Sequence, residues 1–149
     1  MSEFKPFDEK LNGLIASLSP AARRKLAGEI AKQLRTAQQQ RIKQQKAPEG
    51  SPYQARKRQL LRAKTGRIKR AMFQKLRTSR YMKASGSNDA AVVEFTGKVQ
   101  RIARVHQYGL KDQPSPQGSQ VQYAERRLLG FSWEDKQLIE NLIIQVLGW

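Results

Sequence analysis

The chain contains one histidine, His106, inside the stretch Ile102-Ala103-Arg104-Val105-His106-Gln107-Tyr108-Gly109. An imidazole is the side chain best suited to moving a proton near neutrality, and it is also a common metal ligand. Both roles need companions. Serine and cysteine are the usual nucleophiles activated by a histidine base; there is no cysteine, and no serine motif accompanies His106. A zinc site needs a cluster of ligands, which one histidine and scattered carboxylates do not supply. Two-carboxylate hydrolysis needs carboxyls facing a cleft, and Glu94 and Glu125 show no spacing that would pair them. Glu134 and Asp135 stand at a predicted helix start, where carboxylates complement the dipole. Neither glycine-rich phosphate cradle occurs, and "KTGR" alone is too short to make one. No catalytic residue, cofactor or metal is therefore assigned. A lone general base at His106 is the competing view. The expected role is a structural imidazole, hydrogen-bonded to backbone or to a neighbouring chain, beside a turn that Gly109 closes with positive φ.

Charge is the second chemical signal. The chain has 149 residues with 29 Lys or Arg against 12 Asp or Glu, a net charge of +17. Between Arg23 and Lys83 stand 20 basic residues and two acids, Glu29 and Glu49, so that this segment alone carries +18. A field so concentrated favours a polyanion, either nucleic acid or an acidic protein surface. The bland alternative is a set of solvated helix faces. Tyr53, Phe73 and Tyr81 are too sparse for a base-stacking platform, and no nucleic-acid-binding signature is present. If segment 23–83 binds nucleic acid, phosphate contacts dominate, with steep salt dependence and little sequence preference.

These groups must be positioned by a modest core, since 38% of residues are hydrophobic and 28% charged. The expectation is one domain over 1–149, with 1–18 as a short helical extension and 110–120 as an exposed loop. The N-terminal "MSEFKPFDEK" lacks the apolar stretch of a signal peptide. No apolar run approaches the ~20 residues that span a bilayer, so a soluble chain with no membrane partner is expected. Phe7, Leu11, Leu14, Ile15 and Leu18 recur at helical spacing. Ser19 then caps a second helix with Pro20 in its first turn, running through Leu26, Ile30, Leu34 and Ala37 towards Ile42. Its far end, "RTAQQQRIKQQK", is polar almost all round and is expected to project, to pack on a partner or to fray. "APEGSPY" is a loop pinned by Tyr53. "QARKRQLLRAK" and "RIKRAMFQKLRT", broken at Thr65-Gly66, are predicted helices. "RYMKAS" and "AAVVEFTG" flank the turn "GSND" as a hairpin. "KVQRIARVHQYG" contains a helical turn, and "VQYAERRLLGF" a short strand. Ser132 caps the final helix with Asp135 completing a capping box. Leu138, Ile139, Leu142, Ile143, Val146 and Leu147 form the apolar stripe of that helix. The class is α+β: N-terminal helices, a small antiparallel hairpin and a C-terminal amphipathic helix.

The order of these signals resembles the phage virion morphogenesis family, in its tail-completion members from temperate contractile-tailed phages. The resemblance runs from about Ser19 to Leu147 and is most specific in "FTGKVQRIARVHQYGL" and "YAERRLLGFSWED". Lys64, where an Asp often precedes Thr-Gly, and Ala103 with His106, where Tyr-Ala…Glu is usual, depart from more distant neck proteins. The resemblance implies a non-enzymatic virion component that completes the head-proximal end of the tail and supports head–tail joining. It implies a homo-oligomeric, typically sixfold ring in the neck. The implied partners are the tail tube, the tail terminator and a head-completion protein, with non-specific contact to DNA in the neck lumen. The implied location is the virion tail, and the host cytoplasm during assembly. The candidate oligomer or junction contacts are Arg67, Lys69 and Arg70 on the third helix, and Arg101, Arg104, His106, Tyr108 and Gly109 at the corner. Arg126 and Arg127 join them beside a core strand.

Overall fold

A computed structural model describes residue 13, residues 15–56 and residues 71–147. Among them the architecture is α+β, with helices α1 (Pro20–Lys43), α2 (Gln100–Tyr108) and α3 (Trp133–Leu147). Strands β1 (Met82–Gly86) and β2 (Ala91–Phe95) form one antiparallel pair, and β3 (Lys111–Asp112) and β4 (Val121–Gln122) another. The chain divides into two compact units. One takes the described residues up to Thr36, Lys83–Glu94 and the residues from Trp133; the other takes Ala37–Met82 and Phe95–Ser132.

In the first unit, the Ser19 hydroxyl accepts the Ala22 N–H at 3.1 Å, which fixes the start of α1 as its sequence predicts. Leu26 and Ile143 are its buried centre, with Ile15, Leu18, Ile30, Ile139 and Leu147 packed around them. Burying a side chain of this size contributes about 1.5–3 kcal/mol. The inward line of α3 is therefore narrower than the predicted stripe: Val146 is 49% exposed. Asp135 is buried in the acidic first turn of α3, where the helix dipole favours its charge. The hairpin turn closes through the Ser87 N–H donating to Ala90 O at 2.8 Å, while the Ser87 hydroxyl accepts the N–H groups of Asp89 and Ala90. Gly86 ends β1 against the α1 backbone, so close that a Cβ on it would lie 2.2 Å from Gly28 N.

In the second unit, the polar end of α1 neither projects nor frays. Ile42 is fully buried and Gln38 only 4% exposed. Gln38 donates to Gly130 O at 3.0 Å, and Arg41 reaches the same carbonyl at 3.1 Å. Just past the helix, Gln45 donates to Met72 O at 2.8 Å and accepts the Met72 N–H at 2.7 Å. A carboxamide carries both a donor and an acceptor, so a glutamine can be buried where an irregular neighbouring backbone supplies both partners. That is the physical reason for the departure. Tyr53 does pin the 47–53 loop, donating its hydroxyl proton to Arg127 O at 2.8 Å.

Ala71–Thr78 is a series of turns, not the predicted helix, and Phe73 sits at φ +67° within it. Met72 and Leu76 are nonetheless buried. Gln54–Arg56 are non-helical. The rest of the basic helical segment, with Arg67, Lys69 and Arg70, lies outside the described residues. Residues 110–120 are largely exposed, and within them Lys111–Asp112 pairs with Val121–Gln122 as a short antiparallel ribbon. Among the described residues no helix is long and apolar enough to cross a membrane.

Candidate functional site

The stretch around His106 forms α2, whose inner face carries the buried Ala103 and Val105. Arg101, Arg104 and Tyr108, at i, i+3 and i+7, share the outer face and are exposed. Gly109 ends the helix in the left-handed conformation at φ +63°, and the Leu110 N–H returns to Val105 O at 2.9 Å. A Cβ on Gly109 would meet Glu125 N at 2.9 Å. The glycine is thus required twice, for its φ and for the close approach of the 123–126 segment. Beyond it, the Arg101 guanidinium donates to the Asp112 carboxylate at 2.5 Å and holds that carboxyl below its usual pKa.

The Nδ1 of His106 is buried and has no hydrogen-bond partner among the described residues. The ring instead stands edge-on between Phe73, at 4.9 Å between centroids, and Tyr123, at 5.1 Å. Phe73 in turn stands edge-on to Tyr53 at 5.6 Å. Such pairs add about 0.5–1.5 kcal/mol each beyond area burial. Burial lowers the His106 pKa, and the Arg126 and Arg56 cations push it further the same way. The imidazole is therefore neutral at physiological pH and serves as an aromatic packing element. Burial likewise pushes the Tyr53 phenol up to about 12.

Gln107 forms a clamp of another kind. Its Oε1 accepts the Leu128 and Leu129 N–H groups at 2.8 and 3.0 Å, and its Nε2 donates to Leu129 O at 2.8 Å. Arg126 is buried inside its own chain, donating to Gln54 O at 2.7 Å and to Ala55 O at 3.3 Å. Its guanidinium is committed to closing the second unit. Arg127 is exposed and bonds Glu125 at 3.0 Å. The corner therefore brings Arg101, Arg104 and Tyr108 together as an outward face, with Gly109 shaping its end and His106 packed behind it. Sequence reasoning missed Gln107, Phe73, Lys111 and Asp112. A glutamine clamp leaves no periodic signal, and the pairing of Arg101 with Asp112 depends on a turn that spacing alone does not specify.

The outer face of α2 is thus basic and aromatic, over an interior of carboxamide clamps and edge-on rings. Residues 2–148 match the phage virion morphogenesis family, and the chain belongs to it. Tail completion protein S of Escherichia phage P2 is 50% identical to it over 145 residues, which is 97% of each chain. No solved structure matches.

Proposed function

We propose that the chain is a structural, non-catalytic protein that completes the head-proximal end of a phage tail and supports its joining to the filled head. The carrying observation is the 50% identity with a tail completion protein across 97% of both lengths. In this role it acts as a homo-oligomeric ring of the neck, sixfold in the simplest case, contacting neighbouring tail and neck proteins. Its place is the virion tail, reached by assembly in the host cytoplasm. Arg101, Arg104 and Tyr108 are the corner residues free to face outward, with Arg67, Lys69, Arg70 and Arg127 as further contacts. His106, Gly109 and Arg126 support that surface from behind. Electron microscopy of particles made without the protein tests this role. Separate filled heads and unjoined or overlong tails are expected, and normal joined virions would end the proposal. Mass measurement of the purified protein, alone and with isolated tails, tests the ring.

The surplus of 18 positive charges over Arg23–Lys83 supports a second reading, non-specific binding of nucleic acid such as DNA in the neck lumen. Arg24, Lys25 and Lys32 of that segment are exposed on α1. Electrophoretic shift at rising salt tests it; no binding of DNA or RNA at low salt removes it.

A further inference from the structure

Beside β3, α2 lines an open groove of about 590 Å³ that takes in exposed residues of its outer face and the edge of the buried Val105. Val105 and Leu110 give it apolar walls, and Arg101, Arg104 and Lys111 give it three cations. Asp112 is the only acid lining it among the described residues. That carboxylate already accepts from the Arg101 guanidinium at 2.5 Å, while Arg101 remains 77% exposed. Arg104 and Lys111 are exposed and have no ion-pair partner among the described residues. The groove thus contains one carboxylate seated on an arginine, and two more cations with none.

We propose that this groove binds an acidic peptide segment of a neighbouring protein, whose carboxylates pair with Arg104 and Lys111 and compete with Asp112 for Arg101. The inference rests on the assembly role above for where the partner is met, and it names that partner's chemistry. Guanidinium forks match carboxylates in a fixed planar geometry, and pairs partly shielded by apolar walls lose less to solvent than pairs on an open face. Duplex DNA fits less well. It is a convex rod that gains affinity by neutralising many phosphates at once, whereas the described lining of the groove offers three cations, on exposed side chains beside Val105 and Leu110. An extended peptide places a carboxylate on the rim and an aliphatic side chain against the walls.

The test is fluorescence anisotropy with a labelled peptide alternating Glu and Gly around a central Leu, against the same peptide with Gln for Glu. Binding of the Glu peptide by the full chain is expected to exceed that of the Gln peptide by about tenfold or more and to weaken with salt. Arg101→Glu with Arg104→Glu should abolish the difference, while Lys32→Glu on α1 should leave it. Asp112→Asn should tighten binding, because it frees Arg101. Circular dichroism establishes that each variant is folded. Equal binding of the two peptides would overturn the proposal. So would retention of binding by the charge-reversed chain, or competition by duplex DNA that depends on the same two arginines and exceeds that of the Glu peptide. Complementation of phage lacking the protein separates the two inferences. If the peptide binds through these arginines but the charge-reversed chain still assembles normal virions, the groove chemistry stands and its use in assembly fails.

Discussion

Replacing Gln107 by leucine keeps the approximate size of the side chain and removes both halves of its carboxamide. Two N–H groups, of Leu128 and Leu129, then lose their acceptor, and Leu129 O loses its donor. Leu128 is fully buried, so its backbone has little access to replacement water. Leaving a buried polar group unmade costs about 1–3 kcal/mol, less where water can enter. With one group well buried and two half-buried, Gln107→Leu is expected to cost about 3 kcal/mol in all. At about 2–4 °C per kcal/mol for a chain of this size, Tm falls by roughly 6–12 °C. Gln107→Glu keeps the acceptor for both N–H groups but sets a carboxylate oxygen against Leu129 O, so its loss is intermediate. Urea denaturation reports the size of the effect, and amide hydrogen exchange its location, since Leu128 and Leu129 should lose protection first. A Gln107→Leu chain within about 0.5 kcal/mol of the parent, the scale of an ordinary surface change, with both amides still protected, would refute the clamp.

Gly109→Ala forces a Cβ into the left-handed region, at about 1–2 kcal/mol, and against Glu125 N; thermal denaturation should show a loss larger than the conformational cost alone. Gly86→Ala cannot be accommodated without moving backbone, because the clash is with the Gly28 and Ala27 main chain rather than a side chain. Amide shifts in β1 and around residue 28 of α1 should reveal the displacement. His106 has its pKa lowered by burial, so the unfolded chain takes up the proton first. Stability should be complete above the unfolded value of about 6.5 and fall as pH drops from there through the folded value. His106→Phe, which retains an aromatic ring, should flatten that part of the stability–pH profile, and an unchanged slope would count against the neutral imidazole.

Where the sequence carries a strong local signal, the structure follows it. Ser19-Pro20 opens α1, Ser87 to Ala90 closes the hairpin, and Gly109 ends α2 at positive φ. Tyr53 anchors its loop through Arg127 O. The errors share one cause. Gln38, Gln45 and Gln107 look like solvent residues by type, yet each is held by the backbone of a segment far along the chain. Ala71–Thr78 has the apolar spacing of a helix, but Phe73 leaves helical φ and stands beside Tyr53 and His106 instead. Arg126 looks like a surface arginine until the carbonyls of Gln54 and Ala55 are brought to it. Long-range partners decided these positions, and no local pattern encodes them. At the corner, residue types were legible, while the roles of individual side chains were set by tertiary contacts.

The carboxamide clamps also bear on the order in which the chain folds. Gln107 meets its backbone partners 21 and 22 positions along, Gln45 meets Met72 at a separation of 27, and Gln38 meets Gly130 at 92. The entropy of closing a loop rises with its length and must be lost before the contact forms. The short closures are thus favoured early, with α2 collecting 128–129, and the junction of Gln38 with Gly130 late. Truncating Gln38 should then hasten unfolding while leaving the folding rate nearly unchanged, a kinetic signature distinct from that of Gln107.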